Sequence, residues 1–352
     1  MSPSLASHAI VGLLRVTGVK KRQFKPSRFL TEVANPSPPR LPGVTVRREE
    51  FEGWPVYRLT PVNPVKHYAL YIHGGAWAAP ITTQHWRLAA RIAVQSGREV
   101  ALPLYPRLPA ATHADVLPVM LGLFQHVQKQ GPTALIGDSA GANIALSVLQ
   151  ALTPQGERPD ITVLISPALD LTFTNPKIAD IAPHDPLLNL EHIRVLAVRW
   201  AVPADPSNPQ ASPLNGHLDH LGLVHVYAGT RDVLFPDAVL LRDRAENMAG
   251  TDLHLHIGEG MIHDWPIMPT PEGRRTAGDV IALLRGARTE RPGRPNSDPT
   301  RTHEQFASET SDFVDRRGQQ PNSVLFPQPR PGRTQATDRS RPGHPGGDGR
   351  RL

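Results

Sequence analysis

Six short apolar runs recur along the chain: HYALYIH (67–73), EVALPLY (99–105), TALIGD (133–138), ITVLIS (161–166), LVHVYAG (223–229) and DLHLHIG (252–258). Stretches 84–96, 114–130, 140–152, 236–249 and 272–286 carry apolar residues at helical spacing. Repeated strand–helix–strand units build a mostly parallel sheet with helices on both faces, because a parallel return needs a long crossover. Ahead of these units, VTVRREEFEG and WPVYRLTP (44–61) read as an antiparallel hairpin, which brings the sheet to eight strands. The stretch 176–216, full of Pro, Asp and His around EHIRVLAVRW, breaks the alternation and reads as an insertion over one end of the sheet.

None of the 352 residues is cysteine, which rules out disulfides, thiolate-ligated zinc and a cysteine nucleophile. That composition accords with a reducing compartment. The formal charge of +6 is concentrated at one end: residues 287–352 hold 12 Arg against 8 acidic residues. The rest is nearly balanced, so the charge gives no reason to expect a nucleic-acid partner. Rich in Pro, Arg, Gly and Ser and without apolar periodicity, 287–352 is expected to be a disordered tail. Near the N-terminus AIVGLL (9–14) precedes Arg15, Lys20, Lys21 and Arg22, the reverse of the order in a secretory leader. A cytoplasmic protein is expected, its first 20 residues forming an amphipathic helix. Such a helix is expected to pack on its own domain, in preference to contact with a membrane surface and without insertion.

In a parallel sheet the carboxyl ends of the strands gather the loops that bind ligands. After 67–73 comes His73-Gly74-Gly75-Ala76-Trp77, and after 133–138 comes Ser139 in GDSAG. GTRD after 223–229 brings Asp232, and EGMIHDW after 252–258 brings His263. GDSAG alone is a weak signal, equally compatible with an ordinary strand-to-helix turn. Its setting between an apolar strand and AGANIALSVL is the strand–turn–helix that exposes a nucleophilic serine. A serine hydroxyl needs a base, and the base needs an orienting group. His263 and Asp232 follow in the order Ser, Asp, His. Gly74 and Gly75 can offer backbone N–H groups to a developing oxyanion. Asp138, Asp170 and Asp237 compete less well for the acid's role, and His73, His254 and His256 for the base's. His184, His192 and His217 lack metal-ligand spacing, so neither metal nor cofactor is expected.

Over roughly 40–286 the chain resembles the hormone-sensitive-lipase-like (α/β hydrolase fold-3) esterases of the α/β-hydrolase superfamily. The resemblance rests on HGGAW, LYPRLPAATHADV, GDSAGAN, SPALDL, ASPLNG, AGTRDVL and EGMIHDW. It implies an α/β-hydrolase fold with a small helical cap made from an N-terminal segment (1–40) and the 176–216 insertion, on a catalytic domain spanning 41–286. It implies Ser139 as nucleophile, Asp232 as acid, His263 as base, and the N–H groups of Gly74, Gly75 and Ala140 as oxyanion donors. Trp77, Trp200 and Trp265 are candidates for the pocket wall, and as readily plain core. The implied activity is hydrolysis of short- to medium-chain acyl esters. The alternatives are a lactone hydrolase or a small-molecule deacetylase or amidase on the same triad, and a non-catalytic ligand-binding protein, against which the presence of His263 argues. Members of the family often pair, so a homodimer is a further expectation. The sequence departs from the family's usual HGGG turn at Ala76.

If the tail lies outside the folded unit, a chain ending at Arg285 should hydrolyse esters as fast as the full chain. An inactive or unfolded truncation would contradict that boundary.

Overall fold

The computed structural model describes residues 3–286; the expected tail at 287–352 lies outside the described residues. Eight strands form one sheet: β1 (Val44–Phe51), β2 (Trp54–Pro61), β3 (Tyr68–Ile72), β4 (Glu99–Pro103), β5 (Thr133–Asp138), β6 (Thr162–Ile165), β7 (Gly222–Gly229) and β8 (Thr251–Gly258). Their spatial order is β1-β2-β4-β3-β5-β6-β7-β8. The hairpin strand β2 joins β4 antiparallel, and every pairing from β4 through β8 is parallel. Each apolar run of the sequence is a strand. The reason is visible in β5, all six of whose residues are buried, so no polar alternation is possible.

Two apolar layers cover the sheet. On one face α4 (His113–Gln128), α5 (Ala140–Leu152) and α8 (Phe235–Ala245) pack with Leu70, Leu135, Leu164 and Val226. On the other, α3 (Thr83–Ser96) and α9 (Pro271–Gly286) pack with Tyr71, Ile136, Val163 and Tyr227. Buried Arg98 ties α9 to the sheet, donating from Nε to the Leu284 carbonyl at 3.0 Å and pairing with Asp160 at 2.6 Å.

The N-terminal helix is α1 (Leu5–Thr17), followed by the short α2 (Val19–Arg22). Ser4 caps α1, accepting from the Ser7 N–H. Ser4 Oγ and Ser7 Oγ both donate to Glu272 on α9, at 2.9 and 2.8 Å, so the helix packs on its own domain. The insertion carries α6 (Lys177–Ile181) and α7 (Leu190–Ala201). It meets the N-terminal segment where Lys20 Nζ donates to the Asp185 carbonyl at 2.9 Å and where His192 Nδ1 lies 3.3 Å from the Gln23 carbonyl. Among the described residues no helix is long and apolar enough to cross a membrane.

The turn from β5 into α5 depends on two glycines. A Cβ on Gly137 would lie 2.5 Å from the Gly141 carbonyl oxygen. One on Gly141 would drive into the Ile72 carbonyl and lie 2.7 Å from that of His73. Both contacts are with backbone, which cannot swing aside as a side chain can. Gly141→Ala should therefore cost about 1–3 kcal/mol of stability by overpacking, measurable by urea unfolding. An unchanged midpoint would show that the turn has room the structure denies it.

Candidate active site

At the carboxyl end of β5 the ladder runs one residue past the strand, the Ser139 N–H donating to the Ile165 carbonyl at 2.8 Å. The chain then reverses into α5 through Ser139 itself, held at φ 51° and ψ −118°. A non-glycine residue adopts such a backbone only where the surrounding structure imposes it. The reversal leaves the hydroxyl at the end of the sheet and the first N–H groups of α5 beneath it.

Three strand ends converge on that hydroxyl. Ser139 Oγ lies 2.9 Å from His263 Nε2, and His263 Nδ1 lies 2.7 Å from Asp232 Oδ2. With Nδ1–H donating to the carboxylate, Nε2 is left free to accept from the serine. The other oxygen of Asp232 accepts the Leu234 N–H at 2.9 Å. Asp232 is fully buried, and Ser139 is 8% exposed. The adjoining Val233 N–H goes to Asp185 Oδ2 of the insertion at 2.9 Å, so the insertion braces the loop that carries the acid.

The oxyanion side differs from the expectation in one residue. The Gly74 N–H donates to Asp138 Oδ2 at 2.9 Å and is not available to a ligand. Among the described residues no acceptor takes the N–H groups of Gly75 and Ala76, the next two in the turn. Gly75 stands at φ 127°, and a Cβ there would lie 2.7 Å from the Ala79 carbonyl oxygen. Ala76 holds φ 50° despite its Cβ, so the turn keeps the backbone course a glycine would prefer. The Ala140 N–H, first in α5, has no carbonyl within the helix to bond. The three open donors are thus Gly75, Ala76 and Ala140.

Asp138 is the hub of this turn. It accepts from Tyr71 Oη at 2.6 Å and pairs with His85 Nε2 at 3.1 Å as well as holding Gly74. Burial works against its ionised form, but His85, the Tyr71 hydroxyl and His73 together keep the carboxyl below its usual value. The pairing raises His85 correspondingly against its own burial. His73, stacked on Tyr105 at 4.8 Å, is pushed down to about 3 by burial and then by His85. It binds its neighbour's carbonyl and is no base. Asp170 bonds the Thr172 N–H, and Asp237 bonds Asn175, both away from Ser139. His254 and His256 stack with His225 on β7 and β8.

Sequence reasoning missed Asp264. It follows the base, has a left-handed φ of 55°, and places Oδ2 3.3 Å from His263 Nε2. Burial raises this carboxyl to about 8 against the opposing pull of His263. On the imidazole, burial lowers basicity, but Asp232 and then Asp264 more than reverse that and push His263 up to about 10. The only trace in the sequence is the acidic residue directly after the histidine.

Of the three tryptophans, Trp77 alone borders the space around Ser139. Trp200 stacks behind it at 5.9 Å, inside the core. Trp265 belongs to the layer on the opposite face of the sheet, 6.4 Å from Tyr227, with its Nε1 donating to Thr276 Oγ1 at 3.2 Å. It rides on the turn after His263, which directs it beneath the sheet and away from the pocket. Among the described residues no cluster of three or more His, Asp or Glu side chains is gathered to hold a metal ion.

Comparison with known proteins places these features. A profile of the α/β hydrolase fold family matches residues 69–267. A triacylglycerol lipase of Mycobacterium tuberculosis is 32% identical over 68% of this chain, and the match spans 52% of that lipase, about half its length. An acetyl-hydrolase of Streptomyces hygroscopicus is 32% identical over 63% of this chain and 76% of its own. Among solved structures, an esterase from the bacterial hormone-sensitive lipase family superposes with a TM-score of 0.68 at 25% identity, covering 82% of this chain and 99% of that one. Fold, family profile and relatives agree: the chain belongs to the α/β hydrolase fold family, alongside esterases of the hormone-sensitive-lipase type.

Proposed function

We propose that the chain is a serine carboxylic ester hydrolase acting on short- to medium-chain acyl esters. The observation that carries this is the unbroken line Ser139 Oγ, His263, Asp232, at 2.9 and 2.7 Å, opening on a cavity of about 370 Å³. His263 Nε2 takes the serine proton as Oγ attacks the ester carbonyl, and Asp232 holds the resulting imidazolium. The carbonyl oxygen becomes an oxyanion, which leans on the N–H groups of Gly75, Ala76 and Ala140. His263 returns the proton to the departing alcohol oxygen. Water, deprotonated by the same nitrogen, then attacks the acyl-enzyme, and the proton passes from His263 to Ser139 Oγ as the acid is released.

The N-terminal segment and the 176–216 insertion act in this reading as the cap, since Phe24 and Leu187 both line the cavity at Ser139. The cysteine-free composition supports a cytoplasmic location. The outer edge of β8, last in the sheet, supports a homodimer formed by edge pairing.

Two measurements test the chemistry. Ser139→Ala should lower kcat for p-nitrophenyl esters by roughly a thousandfold or more, the scale of triad deletions. Equal turnover by variant and wild type would remove Ser139 from the reaction. The pH profile tests the proton path. The reaction needs neutral His263, so kcat/KM should rise with pH, with a midpoint above that of a free imidazole because both carboxylates favour the charged ring. Asp264→Asn removes one of them and should move the midpoint towards lower pH. A midpoint that stays put would mean that Asp264 does not act on the base.

A further inference from the structure

Ser139 stands between two cavities of different character. The larger, about 370 Å³, is bordered by His263, Gln23 and Arg28 on one part and by Phe29, Leu187 and Ile267 on another. The smaller, about 10 Å³, is walled by Phe24, Ala76, Trp77, Ala140, Phe173 and Leu188, with further aliphatic side chains behind them. Only Ser139 and Phe24 border both.

The chemistry assigns a role to each. The leaving oxygen must reach His263 Nε2 to be protonated, and His263 borders only the larger cavity. The alcohol half of the ester therefore lies there. Of the oxyanion donors, Gly75 borders the larger cavity and Ala76 and Ala140 the smaller, so the carbonyl sits where the two meet and, with the alcohol on the His263 side, the acyl carbons extend into the smaller one. A space of about 10 Å³ is roughly what one water-sized group occupies. A methyl group fits, and each added methylene must push into walls that include the buried Trp77, Phe173 and Leu188. Interiors packed to crystal density resist such intrusion.

We infer that this site is built for acetyl esters of large alcohols, with Phe24 and Leu188 setting the acyl limit. The inference rests on the ester-hydrolase reading and narrows it from short- and medium-chain esters to the two-carbon acyl group. Phe24 is well placed to set that limit. It sits at φ 53° between α2 and the 3-10 turn Pro26–Phe29, so its ring reaches Ser139 from the N-terminal segment and not from the sheet.

Octyl acetate and ethyl octanoate have the same atoms and differ only in which side of the ester is long. The wild type should hydrolyse octyl acetate with a kcat/KM at least about a hundredfold higher, the scale on which a closed pocket rejects several methylenes. In Phe24→Ala the preference should narrow about tenfold or more, as the longer acyl chain gains room. Leu188→Ala opens the same cavity from the insertion and should narrow it too, which keeps the test available if one variant fails to fold. Equal rates on the two isomers, or a preference unchanged in both folded variants, would overturn the acyl assignment while leaving ester hydrolysis standing. Turnover of neither isomer, with p-nitrophenyl acetate also untouched, would take down the hydrolase reading and this inference with it.

Discussion

The site depends on one backbone reversal. At φ 51° and ψ −118°, Ser139 is in a conformation that costs an ordinary residue of order 1–3 kcal/mol. The surroundings hold it there from three directions. The β5–β6 ladder fixes the N–H of Ser139, the Gly137–Gly141 approach leaves no room for a different turn, and α5 is buried along nearly its whole length. Loosening any of these lets the serine relax towards a regular backbone, which carries Oγ away from His263 and the Ala140 N–H away from the oxyanion position. Stability of the central sheet is thus spent on geometry at its end.

A second buried constraint fixes the facing turn. Asp138, next to Ser139, is turned away from it and grips Tyr71, His85 and the Gly74 N–H. Breaking such a network by removing one partner leaves an unpaired buried charge, which costs far more than the pair contributes when intact. The network explains why the donor set is shifted by one residue along the turn. Gly74 is the anchor, and Gly75 with Ala76 presents the free N–H groups. A left-handed alanine at the second of these is tolerated because the anchor dictates the backbone course on one side and the Gly75–Ala79 contact dictates it on the other.

Much of this was legible in the residues. The strands could be read because buried parallel strands are continuous apolar runs, and Ser139, Asp232 and His263 because each lies within five residues of the end of one. Most helices begin and end within a residue or two of their periodic patterns; α8 stops at Ala245 where the pattern ran on to 249, and the helix expected over the first 20 residues starts only at Leu5 and breaks at the left-handed Gly18. What could not be read depends on direction in space. No pattern separates the Gly74 N–H from that of Ala76, since the choice is made by Asp138, 64 residues away. Trp265 stands two residues beyond the base, yet the turn carries it beneath the sheet. Asp264 and Phe24 are unremarkable in sequence, and only the fold sets one beside Nε2 and the other between two cavities.

On the proposed mechanism these contacts make Ser139 a nucleophile. A fluorophosphonate, which reacts only with an activated serine and leaves a stable adduct, tests it without any assumption about substrate. Peptide mass spectrometry should find one phosphonate per chain, on Ser139, formed far more slowly when His263 is replaced by alanine. A label on another residue, or labelling of Ser139 at the same rate without His263, would contradict the account.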